Sequence, residues 1–351
     1  MVGHEGPAGA ACGRGIVWTG LLGGVIIGVT AAVIGPQETW IVADLGIDHT
    51  RAALTQTALF AGQLTTGMMA ASFLARAVGK RLGLAALALM ALGNVLCVIP
   101  VYEVILAGRF VTGGAISLMV VFFSTVYVTF FESVQARLLA LLHAAVAAGA
   151  AVTVWNVRAV AAAAGSWTFP FWVVAGLSAG AAAVLISCRV PALHSKERAG
   201  LRGALPAFRA RPVLAVFLVL AALGIAAESV NVFLPACAEK ELGLSVRFSG
   251  IVLALFWIGM ILGRFASFIT SRWLTERAHV ITGAVFGSVF LLASLRVTDS
   301  VLLSVVVLLA GVMVGPIYPQ AISYAVRCAP GHKSSVVAMG QVVSCAGAAK
   351  S

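Results

Sequence analysis

Apolar runs of about 20 residues recur along this chain, separated by short stretches where Gly, Pro and charged residues collect. A run of that length spans a hydrocarbon core of about 30 Å at 1.5 Å per residue. Backbone in lipid must satisfy its own hydrogen bonds, so each run is predicted as an α-helix. None of the runs shows the alternation that a membrane-spanning β-strand requires. The predicted helices are Ile16–Pro36, Ala53–Leu74, Leu82–Pro100, Val104–Phe131, Leu138–Ala163, Phe169–Ser187, Val213–Cys237, Phe248–Ile269, Val280–Leu295 and Val301–Tyr324. Ser335–Ala349 begins an eleventh.

Composition turns this pattern into a class. Of the 351 residues, 61% are apolar and only 10% charged, and the mean hydropathy is +1.05. A soluble domain carries about 25% charged residues, so most of this surface must face lipid. The fold class expected is an all-α polytopic membrane protein. The net charge of +11 would suit nucleic acid, but its placement excludes that partner. Fifteen Lys and Arg lie in the N-terminus and in the loops after even-numbered predicted helices, against four in the loops after odd-numbered ones. This asymmetry places the N-terminus and the long central loop in the cytoplasm, and the protein in a plasma membrane.

Chemistry-bearing motifs are sparse. The six cysteines show no CxxC or CxH spacing, so they read as small apolar fillers and no metal or cofactor is expected. Met1–Gly15 lacks a cleavage signature, so the first helix is expected to stay attached. There is no HExxH or phosphate-binding GxxxxGK[ST] sequence, which argues against a zinc hydrolase and against an ATP-driven pump, and no enzyme is expected.

The two halves resemble each other. Asp44-Leu45-Gly46-Ile47 precedes the second predicted helix and Glu241-Leu242-Gly243-Leu244 precedes the eighth. Phe60, Gly67 and Arg76 match Phe256, Gly263 and Arg272 at a constant offset. The domains expected are a six-helix bundle over residues 1–187, a basic linker over 188–212 and a second bundle over 213–351. Ser335–Ala349 is shorter than a span and no twelfth helix follows, so the second repeat reads as truncated, with 10 to 11 helices present. Parallel repeats place a substrate at their interface.

Ser72-Phe73-Leu74-Ala75-Arg76-Ala77-Val78-Gly79-Lys80-Arg81 resembles the motif that follows the second helix in the major facilitator superfamily. Leu74, Ala75, Gly79, Lys80 and Arg81 match it; Ser72 and Arg76 replace its Gly and Asp. In the family that Asp helps latch the cytoplasmic gate, so the latch lacks its carboxylate here. Gly108-Arg109-Phe110-Val111-Thr112-Gly113 resembles the family's Arg-containing motif. Phe233-Leu234-Pro235, Phe256-Trp257-Ile258-Gly259-Met260-Ile261-Leu262-Gly263-Arg264-Phe265 and Gly315-Pro316-Ile317-Tyr318-Pro319 resemble the branch of sugar permeases that includes fucose–proton symporters and related glucose transporters. Leu141-Leu142-His143 resembles an Asn-x-Leu-His stretch there, with Ala140 replacing the Asn.

The resemblance implies a secondary transporter for a sugar or similar small polar solute, working by alternating access as a monomer, with the proton as candidate coupling ion. Two alternatives stay open: a non-transporting, sensor-like relative, and an efflux carrier for amphiphiles. Glu228, an acidic residue deep inside a predicted helix, is the coupling candidate, because a carboxylate in lipid is expensive and should face a cavity or partner. Asn231 shares its face. Arg109 reads as a relay or substrate partner, or as a snorkelling side chain. Trp257 and Tyr318 offer faces for sugar rings or simply pack. His143 and Gln320 are further polar candidates, Glu38 at the outer end of the first predicted helix is either a boundary residue or a cavity-lining one, and Gln63 has no assigned role. Gly79, Lys80, Arg81, Gly263 and Arg264 are expected to serve gate or scaffold. Pro316 and Pro319 are expected to break the tenth helix. The four-residue spacing of Gly20, Gly24 and Gly28, and of Gly259 and Gly263, predicts close helix approach.

Overall fold

A computed structural model describes residues 7–72, 79–190, 210–240 and 242–348. All regular structure among them is helical. In the first half these are α1 (Pro7–Ala32), α2 (Glu38–Leu45), α3 (His49–Ser72), α4 (Lys80–Val98), α5 (Tyr102–Phe130), α6 (Gln135–Ala163) and α7 (Phe169–Ser187). In the second they are α8 (Arg211–Lys240), α9 (Val246–Thr270), α10 (Glu276–Ser294), α11 (Ser300–Val314), α12 (Ile317–Cys328) and α13 (Lys333–Ala348). The helices match the predicted spans to within a few residues except at the start of α1, which begins at Pro7 and not Ile16, and at two further places. The first apolar run does not end at Pro36: a 3-10 turn over Gly35–Gln37 leads into α2, which Gly46 stops with a left-handed φ of 62°. Leu45 therefore extends the first apolar stretch well past its predicted boundary.

The second place is the tenth predicted helix, which splits at Gly315–Pro316 into α11 and α12. Pro319 falls in the first turn of α12, where a missing N–H costs nothing because no intrahelical acceptor awaits it. Elsewhere local chemistry starts the helices where they begin. Ser245 accepts from the Phe248 N–H at 3.3 Å, Thr275 from the Ala278 N–H at 3.2 Å and Asp299 from the Leu302 N–H at 2.7 Å, capping α9, α10 and α11.

Helix pairings in the first half recur in the second. α3 packs on α5 as α9 packs on α11, α1 on α6 as α8 on α13, and α4 on α5 as α10 on α11. Glycine sets how closely two of these pairs approach. A Cβ on Gly28 would run into the Val146 carbonyl oxygen of α6, and one on Gly263 into the Val312 carbonyl oxygen of α11. The spacing read from the sequence is therefore a packing device.

Large apolar side chains remain exposed around the outside, among them Trp18, Leu218, Val285, Leu292 and Val301. Such a belt would be an aggregation surface in water and fits a lipid contact. Among the described residues, eight helical stretches are long and apolar enough to cross a membrane. α3 departs from this pattern, carrying five threonines and two glutamines. Polar residues on a membrane helix are expected to face a cavity or a partner, and α3 does so.

Candidate functional site

The two halves meet along α6 with α9 and α12, and along α13 with α3 and α5. At the end of the bundle away from the basic loops they part around a cavity of about 540 Å³. Its walls come from the C-terminal turn of α1 and the segment after it, from α3, from the end of α6 and from the start of α9. Most of the wall is apolar: Ala, Leu, Phe60, Trp155 and Trp257. Polar groups are few and come mainly from α3, as Thr55, Gln56 and Gln63. Glu38 stands at the mouth, 2.9 Å from His49 Nδ1.

Behind the α3 wall lies Arg109. It is fully buried, so it does not snorkel. Its Nη1 donates to the Thr30 carbonyl of α1 at 2.8 Å and its Nη2 to Gln56 Oε1 at 3.1 Å. The guanidinium thus crosses from α5 to two neighbouring helices, both of which line the cavity. Gln56 had no role in the sequence reading. Its one signal there is a place two turns before Gln63 on the same helix face.

The floor of the cavity is a hydrogen-bonded layer that joins the halves. Cys345 Sγ contacts Gln63 Oε1 at 3.3 Å, and Gln341 Nε2 donates to Cys345 Sγ at 3.4 Å. Tyr318 Oη donates to Gln341 Oε1 at 2.8 Å. The Tyr318 ring meets the His143 ring edge-on, with centroids 4.6 Å apart. Arg264 Nη1 donates to the His143 carbonyl at 2.9 Å, and its Nε to the Gly315 carbonyl at 3.2 Å. Pro319, four residues on, has no N–H to give that carbonyl, which leaves it for a side-chain donor. Arg264, Pro316, Tyr318 and His143, separate in sequence, become one cluster.

Below the floor the basic end is closed. Lys333 of α13 reaches the Glu132 carboxylate and the Val128 carbonyl across the halves. Glu276 accepts from Arg327 at 2.8 Å and from Ser323 at 3.2 Å. Gln320 sits here, donating to Ser271 Oγ at 3.1 Å beside a pocket of about 240 Å³, and not in the large cavity. Lys80 caps the end of α7 by donating to the Ile186 carbonyl, with Gly79 as the N-cap of α4 and Arg81 exposed beside it. Arg76 and the side chains of Ser72, Arg158, Glu228, Asn231, Phe233 and Pro235 lie outside the described residues.

The sequence profile of the Major Facilitator Superfamily matches residues 20–349. The chain belongs to that superfamily. No curated protein sequence matches it. Among solved structures it is similar to the E. coli fucose:proton symporter, N162A variant, with a TM-score of 0.73 and 18% identity over 96% of this chain and 90% of that one. It is also similar to the same transporter in an outward conformation, with a TM-score of 0.74 and 16% identity over 95% and 90%. A third likeness is to the proton:xylose symporter bound to 6-bromo-6-deoxy-D-glucose, with a TM-score of 0.69 and 14% identity over 95% and 86%. At such identities the likeness establishes the fold: a polytopic transporter fold of two pseudo-repeated halves. The stretches that carried the resemblance in the sequence land on distinct parts of it. Gly108–Gly113 places Arg109 behind the cavity wall, Phe256–Phe265 spans from cavity to floor, and Gly315–Pro319 forms the helix break over the floor.

Proposed function

We propose that this protein is a secondary carrier that moves a sugar or other small polar solute by alternating access, with residues 1–187 and 213–351 rocking as two bodies about the linker over 188–212. The observation that carries this reading is a cavity of about 540 Å³ walled by both halves at one end and closed at the other by side chains that join them. A volume of that order suits a small ligand. Charge asymmetry in the loops supports a cytoplasmic basic end, an outward-facing cavity and a multi-pass plasma-membrane location. Trp257 fits the reading as a stacking face in the wall; Tyr318 and His143 fit it as floor. Glu228, with Asn231 one turn on, is the candidate for proton coupling: a carboxyl about halfway along α8 is suited to reversible protonation.

The largely apolar wall favours a second reading, export of an amphiphile. Purified protein in liposomes separates the two. Uptake of labelled sugars driven by an imposed pH gradient, lost or uncoupled in Glu228→Gln, supports the first. Dye export with no sugar flux supports the second. No flux of either kind would overturn carriage itself.

A further inference from the structure

The α3 wall of the cavity is chemically one-sided. Gln56 and Gln63 lie seven residues apart, two turns of helix, so both carboxamides face the cavity about 10 Å apart along its depth. Each has its oxygen engaged from behind. Arg109 has only donors, so the Gln56 oxygen must turn toward it at 3.1 Å. The Cys345 thiol holds the Gln63 oxygen at 3.3 Å. The amide nitrogens are then the groups left for the cavity, and neither has a partner among the described residues. Thr55 donates its hydroxyl to the Ala52 carbonyl at 2.7 Å. The polar side of the wall therefore offers mainly N–H donors and asks for acceptors.

Charge points the same way. Arg109 is fully buried, and Arg264 nearly so; each is bound through neutral carbonyl or amide oxygens. The described ion pairs join other residues, so neither guanidinium has a carboxylate within 4 Å among the described residues. Buried charge without a counter-ion is costly, and its field reaches far in a medium of low dielectric. Glu38 is the ionisable residue of the described wall, and it stands exposed at the mouth beside His49.

We propose that the solute carried in this cavity is a small organic anion, a carboxylate-bearing sugar or hydroxy acid. Its carboxylate accepts from the Gln56 amide, and the hydroxylated remainder reaches toward Gln63 and Trp257. Arg109 is the positioning residue: it fixes the orientation of Gln56 and polarises its N–H groups without touching the solute. This narrows the substrate class of the carrier proposed above and rests on that reading.

The test uses the full-length protein in liposomes with glucose and glucuronate, which differ by the carboxylate. Glucuronate exchange is expected to exceed glucose exchange by about tenfold, the scale of one charge-assisted hydrogen bond. Gln56→Glu supplies Arg109 with a counter-ion. It is expected to raise the melting temperature while bringing the glucuronate-to-glucose ratio down to one or below. Arg109→Lys should keep part of the preference and Arg109→Gln should lose it. A merely structural arginine would alter yield or melting temperature and leave that ratio unmoved. Wild-type protein that moves glucose as fast as glucuronate overturns the anion assignment and leaves carriage standing. A protein that moves neither overturns the anion assignment together with the sugar-carrier reading it rests on. A glucuronate preference that survives Gln56→Glu removes the α3 wall from recognition.

Discussion

The two ends of the bundle treat the same interface in opposite ways. On the basic side of the cavity α13 and α9 of the second half are tied to α5 and α6 of the first, through Lys333 at the basic end and Arg264 in the floor. At the other end α1, α3 and α6 face α9 across a cavity of about 540 Å³. The contrast shows where the energy of the closed end resides. A hydrogen bond to a charged donor contributes about 1.5–3 kcal/mol, whereas an exposed ion pair contributes about 0–1 kcal/mol. Arg264 is buried and makes two bonds to backbone carbonyls; the Lys333–Glu132 pair joins a partly covered amine to an exposed carboxylate. Arg264 should therefore dominate, even though the ion pair is the more visible contact. A closed end held by a few kcal/mol can still be opened by ligand binding, because a population shift from 1:99 to 99:1 takes about 5.5 kcal/mol.

Arg264→Gln should break the comparison most severely. It leaves the His143 and Gly315 carbonyls short of a donor and is expected to cost about 3 kcal/mol. Thermal unfolding in detergent should show the loss, and Cys345, buried in the floor, should react faster with a maleimide. An unchanged melting temperature together with unchanged labelling would mean that Arg264 does not hold the floor. Tyr318→Phe sharpens the same point at a smaller scale. It removes one bond to Gln341 while keeping the ring against His143, so about 1 kcal/mol is expected, with Cys345 labelling rising modestly. Lys333→Gln should have the least effect on stability, under about 1 kcal/mol, and that effect should vanish in high salt because the pair is screened. A larger loss for Lys333→Gln than for Arg264→Gln would reverse the assignment of strength between the two ties.

Much of the scaffold was legible before folding. The apolar runs located the helices, because each residue's cost of sitting in lipid accumulates along the chain whatever its neighbours do. Pro316 announced the break between α11 and α12, since proline's defect is covalent. The glycine spacing announced the close approach of α1 to α6 and of α9 to α11. The site was less legible. Gln320 and Tyr318 lie two residues apart, yet one sits at the basic end and the other in the floor. Gln341 and Cys345 carried no signal and Gln56 only its spacing from Gln63, because an amide or a thiol in an apolar helix acquires meaning only from its partner.

Arg109 marks the boundary between the two kinds of information. The sequence by itself determined that a cation enters a membrane helix and must be accommodated, because hydrocarbon cannot solvate it. Whether it snorkels to the interface or turns inward was decided by packing, which brings the Thr30 carbonyl, 79 residues away, and Gln56, 53 away, within hydrogen-bond reach. Hydropathy is a sum over single residues and therefore follows from order along the chain. A hydrogen-bond partner is a property of two positions in space, and only the assembled helices place them together.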